Sequence, residues 1–168
     1  MTITLHAQPY DISATGFYFT SANEYEDKAE SLTNAYGDPV EEFEIQFIDG
    51  EQMDCELAKA IGINQANFAD FLECAETWED WQKINVIIAM GELGYSFDPQ
   101  DDPDHYGIDI YWVSTMRELA EQFVDDGLFG EVSEQFQFYI DYDAIARDLA
   151  IEYSEIEIAG ERLIYRAS

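Results

Sequence analysis

Thirty-seven carboxylates against seven lysines and arginines give this 168-residue chain a formal charge of −30, and any fold it adopts must hold that charge at its surface. Acidic chains poor in aromatic residues stay disordered, because they bury too little apolar area to offset the entropy of ordering. Here 47% of the residues are hydrophobic and 15% aromatic, enough to build cores. Residues 130 to 150, GEVSEQFQFYIDYDAIARDLA, set both demands side by side. Glu131, Glu134, Asp141, Asp143 and Asp148 stand against one cation, Arg147, among Phe136, Phe138, Tyr139 and Tyr142. The expectation is that the aromatics form core and the acids surround it.

The repulsion is substantial. Two exposed carboxylates about 6.7 Å apart repel by roughly 0.6 kcal/mol in water, so dozens of such pairs approach the whole stability of a small domain, roughly 5–15 kcal/mol. Solubility asks only for a net charge of about 2–8 in magnitude. A surplus this large points to a task outside the fold. Adaptation to high salt also makes surfaces acidic, but it does not call for so many large aromatics.

The charge excludes several partners. Direct binding to DNA or RNA needs a basic face, and none is visible. Anionic membranes would repel the chain. There is no apolar stretch of 18 residues, and MTITLHAQPYD has neither a basic start nor an apolar run, so neither a membrane span nor a signal peptide is expected. Cys55 and Cys74, 19 residues apart, match neither a disulfide framework nor a zinc spacing. Reduced thiols in a cytoplasmic protein are the expectation.

Periodicity divides the chain into three segments of an α+β fold. Residues 1–50 form the first. GFYFTS and EEFEIQFID have strand character, with Phe43, Ile45 and Phe47 alternating with Glu42, Glu44 and Gln46. Between them NEYEDKAESLTNAYGDP predicts a helix stopped by Gly37 and Pro39. Residues 51–107 are expected to be helical and to end in an acidic linker, DPQDDPDHYG. Phe68, Phe71, Leu72 and Ala75 make one apolar stripe, and Trp78, Trp81, Ile84 and Ile88 another, both read as core. The third segment, residues 108–168, opens on the strand IDIYWV. A helix follows with a capping box at Thr115 and Glu118, a stripe of Met116, Leu119, Ala120, Phe123 and Val124, and an end at Gly127. DYDAIARDLA predicts a short helix burying Tyr142, Ile145, Ala146 and Leu149, with Asp143 and Arg147 as an i, i+4 pair. SEIEIAGERLIYR predicts a hairpin turning at Ala159-Gly160, with Ile156 and Ile158 inward and Glu155 and Glu157 outward.

No constellation carries chemistry. The linker carboxylates Asp98, Asp101, Asp102, Asp104 and Asp109 fail the calcium-loop template, which needs glycine where Pro103 stands and glutamate where Asp109 stands. His6 and His105 are the only histidines, and the sequence holds no Gly-x-Ser-x-Gly, phosphate-cradling loop or dinucleotide fingerprint. No enzymatic activity, cofactor or metal is expected.

The acid spacing suits a different role. B-DNA carries one charge per about 1.7 Å of axis, about 3.4 Å per strand. Carboxylates at i and i+2 of a strand lie about 6.7 Å apart, near two phosphate steps, and i, i+4 acids on a helix about 6 Å apart. Glu42 with Glu44, and Glu155 with Glu157, have the strand spacing. By charge alone, −30 equals the phosphates of about 15 base pairs, and a dimer would equal about 30.

FGEVSEQFQFYIDYDAIARDL, residues 129 to 149, resembles the antirestriction motif of the ArdA family. There a Glu-Val-Pro-Glu element precedes a Tyr-Ile/Phe-Asp-Tyr segment and an Ala/Gly-Arg-Asp-Leu helix. Gly130, Glu131, Val132, Glu134, Tyr139, Ile140, Asp141, Tyr142, Arg147, Asp148 and Leu149 match, while Ser133 replaces the usual proline. EEFEIQFID is a fainter echo of the family's Ile-His-Asp region, with Gln46 and Phe47 in place of the His and Asp. The resemblance implies an elongated protein of three small domains that dimerises through the C-terminal one and imitates bent B-form DNA. It also implies the partner, a type I restriction–modification enzyme whose DNA groove the protein fills. Two other readings stand beside it: a DNA mimic aimed at another basic protein, such as a repressor or nucleoid protein, and an acidic salt-adapted or cation-binding protein. On the mimic readings the candidate phosphate substitutes are Glu42, Glu44, Glu131, Glu134, Asp141, Asp143, Asp148, Glu155 and Glu157.

Overall fold

The computed structural model describes all of residues 1–168, which fall into two compact units, Met1–Tyr106 and Gly107–Ser168. The chain is mixed α/β, with seven helices and two three-stranded antiparallel sheets. No helix is long and apolar enough to cross a membrane.

In the first unit, β1 (Thr4–Pro9) lies between β2 (Phe17–Phe19) and β3 (Phe43–Asp49). No element is expected from the first eleven residues, yet they supply this central strand. Leu5, Ala7 and Pro9 alternate inward, but with one large side chain among them the period-2 signal is faint. Helix α1 (Ala22–Ser31) starts on Ser21, whose hydroxyl accepts from the Glu24 N–H. It ends six residues before Gly37, because the Asn34 side chain accepts from the Tyr36 and Asp38 N–H groups (2.9 and 3.0 Å) and forms a local turn instead. Phe17, Phe19, Tyr25, Phe43 and Phe68 then close an aromatic cluster, with neighbouring ring centroids 4.7–6.0 Å apart.

Helices α2 (Gln52–Ile61), α3 (Phe68–Thr77) and α4 (Asp80–Gly91) complete this unit. Gly62, at φ 70°, terminates α2 in the left-handed conformation that a side chain disfavours. Every residue of α4 from Lys83 to Met90 is buried. Lys83 reaches Asp54 of α2 at 2.7 Å, a buried ion pair that ties the two helices. Trp81 is not core as the stripe suggested. It is 47% exposed, in a first turn of α4 that precedes the buried run. The expected linker is tied down, since the Asn85 side chain donates to the Pro103 carbonyl (3.2 Å) and that of Gln82 to Asp104 (3.1 Å).

The second unit contains β4 (Ile108–Tyr111), α5 (Met116–Asp125), α6 (Glu134–Gln137), α7 (Tyr142–Leu149), β5 (Ser154–Ile158) and β6 (Glu161–Ala167), with sheet order β4-β6-β5. Leu119, Phe123, Tyr153 and Ile164 form its core, and Tyr111, Val113, Met116 and Leu149 pack against them. Thr115 caps α5 by accepting from the Glu118 N–H. The Glu118 carboxylate reaches back to the Ser114 N–H, one residue before the cap a reciprocal box would use. The hairpin turns at Ala159 and Gly160, both at positive φ (51° and 81°), the handedness that suits twisted strands.

Candidate functional site

Turn and helix chemistry decides where each candidate carboxylate stands. All nine are exposed. Glu42 and Glu44 belong to the first unit. Glu42 stops one residue short of β3, so only Glu44 is fixed by that strand, where it accepts from the Gln46 amide at 3.3 Å.

The other seven belong to the second unit. Glu131 lies in the irregular stretch between α5 and α6, and Glu134 opens the single-turn helix α6. Asp141 is the N-cap of α7, one oxygen accepting from the Ala144 N–H at 3.0 Å. Asp148 projects from the last turn of that helix. Glu155 and Glu157 point outward from β5, as the alternation predicts. Glu155 has a task the sequence did not reveal, accepting from the Met116 N–H at the start of α5 (2.9 Å). Glu157 pairs with Arg162 across the hairpin (3.5 Å). A carboxylate has about four acceptor positions, so a capping bond leaves each of these groups free to face solvent.

The expected Asp143–Arg147 pair does not form. Arg117 of α5 takes Asp143 instead, donating from Nη1 to Oδ1 at 2.7 Å. The same guanidinium donates from Nε to Glu121 (3.2 Å) and lies 5.7 Å from the Tyr142 ring centroid. A planar guanidinium reaches two acids and a ring face at once, which a turn-to-turn pair on α7 does not match. The hydrogen bond to Asp143, and then its charge, raise the Arg117 pKa further. Arg147 forms no ion pair, although seven of the candidate carboxylates share its unit.

The aromatics of this segment also depart from expectation. Phe136, Phe138 and Tyr139 are not core; Phe138 is 94% and Tyr139 83% exposed. Leu128 and Phe129, in the turn after α5, are exposed as well. The four residues of α6 are too few to present a face to the unit's core. Tyr142 and Ile145 are half-buried, and of the α7 stripe Leu149 reaches the core.

No three His, Cys, Asp or Glu side chains are grouped so as to hold a metal ion, the acids of the 98–109 stretch included. No protein-family model matches the chain, and comparison with curated proteins yields no match.

Proposed function

We propose that this chain is a noncatalytic inhibitor that imitates DNA and occupies the DNA-binding groove of a type I restriction–modification enzyme. The observation that carries the reading is the exposure of all nine candidate carboxylates, seven of them in the unit that contains the antirestriction-like motif. Anions held on ordered elements meet the lysines and arginines of a DNA groove already spaced, without the ordering cost a flexible polyanion would incur. The surplus of 37 acids over 7 bases supplies long-range attraction to any such groove. The resemblance of residues 129–149 selects the target class. The same reading includes a homodimer through residues 108–168 and action in the cytoplasm.

A gel-shift titration tests it. Added to a type I methyltransferase core bound to its DNA, the protein displaces the DNA, and displacement weakens as salt rises. A ternary complex of enzyme, DNA and this protein would refute the reading.

A further inference from the structure

Helix α7 and its cap carry Asp141, Asp143 and Asp148, yet none of the helix's residues is buried. Partial burial at Tyr142, Ala144, Ile145, Ala146 and Leu149 holds the helix only in part, so polar contacts contribute to where those carboxylates stand. Leu149 holds the last turn, packing on Leu119, Phe123, Tyr153 and Ile164. At the first turn Arg117 grips Asp143 at 2.7 Å while resting over Tyr142 and donating to Glu121. Among the seven cations of the chain, only Arg117 and Arg147 lie on α5 or α7, and Arg147 pairs with nothing.

We infer that Arg117 is a positioning residue, which fixes the first turn of α7 on α5 and thereby sets where Asp141 and Asp143 stand in the acidic array. Without it, Glu121 and Asp143 lose the guanidinium they share and are left as like charges at the junction of the two helices. Lysine is a partial substitute, because an ammonium lacks the planar fork that spans two acids and stacks on a ring. The use of the array rests on the inhibitor reading; the fixing of α7 does not.

The sign of the charge change makes the inference testable. Arg117→Gln removes one cation and takes the net charge from −30 to −31. If total charge governed displacement of DNA, the variant would act as well as the wild type or better. If Arg117 positions the array, the more acidic variant acts worse. Hydrogen exchange of the 142–149 amides and DNA displacement from a type I methyltransferase core are measured on the wild type, Arg117→Gln, Arg117→Lys and the reversed pair Arg117→Glu with Asp143→Arg, whose net charge is unchanged. Expected is exchange of α7 faster by roughly two- to fivefold in Arg117→Gln, the range an exposed pair supplies. The Leu119 and Phe123 amides of α5 stay protected, the lysine variant is intermediate, and protection of α7 returns in the reversed pair. Arg117→Gln also requires more protein to displace the DNA.

Unchanged exchange in α7, or displacement by Arg117→Gln equal to or stronger than wild type, overturns the inference. Should α5 loosen as well, the reversed pair decides: restored protection of α7 supports positioning, and failure to restore it refutes it. Failure of the wild type itself to displace DNA would remove the inhibitor reading and leave the exchange data to judge Arg117.

Discussion

Lys83→Met isolates the one buried charge pair. The Asp54 and Lys83 side chains are each 7% exposed and meet at 2.7 Å. Methionine keeps the buried hydrocarbon stem, so packing is largely preserved and the change is electrostatic. The Asp54 carboxylate is then left buried without its countercharge, which costs about 3–5 kcal/mol. Unfolding the 106 residues of the first unit releases about 2.1 cal/mol/K per residue, or about 220 cal/mol/K, so the loss lowers Tm by about 14–22 °C. Differential scanning calorimetry of the wild type, Lys83→Met and the double variant Lys83→Met with Asp54→Leu measures it. The double variant recovers most of the loss, because replacing both partners of a buried pair with apolar groups is often neutral or stabilising. A Tm for Lys83→Met within about 4 °C of wild type, equivalent to about 1 kcal/mol or less, would refute the claim that the buried pair joins α2 to α4.

Glu24 is held down to about 2 by the Lys28 ammonium and by the Thr20 N–H and hydroxyl, so its support for α1 is complete above about pH 4.5 and lost as pH falls through about 2; an NMR titration locates the midpoint, and Lys28→Met moves it up. Cys74 is pushed up to about 11 by burial and then by Asp70 and Glu73, so iodoacetamide at pH 8 labels it only after denaturation, and native labelling at the rate of a free thiol would contradict this. Leu149→Ala costs about 1–2.5 kcal/mol in urea unfolding, half of what a fully buried leucine loses, because Leu149 is only partly buried against the second core.

Local signals were legible at α5 and at the C-terminal hairpin, though not at the end of α1, where Asn34 forms a turn before Gly37. Thr115 and Gly127 bracket α5 as expected, and Ala159-Gly160 turns the hairpin with Glu155 and Glu157 outward. What the sequence hid depends on groups distant along the chain. Arg117 takes Asp143 across 26 positions, and Glu155 caps α5 from 39 positions away; no i, i+4 rule anticipates either. Strand β1 has too few large residues to announce a period, although it is the central strand of its sheet. The motif's Phe138 and Tyr139 have the composition of core but sit beside a helix of four residues, so composition alone misjudged them. The exposure of the nine candidate acids was legible, because nothing in the sequence offers 37 carboxylates enough cations to accompany them inward.

On the proposed function the carboxylates compete with DNA as an ordered array and not as bulk charge. The most direct measurement is a displacement titration at fixed salt on a type I methyltransferase core bound to DNA. It compares the folded protein, of net charge −30, with polyglutamate of thirty charges. The folded protein is expected to displace the DNA at a concentration lower by about tenfold or more, the equivalent of about 1.4 kcal/mol of preorganisation. Coincident titration curves for the two would contradict it.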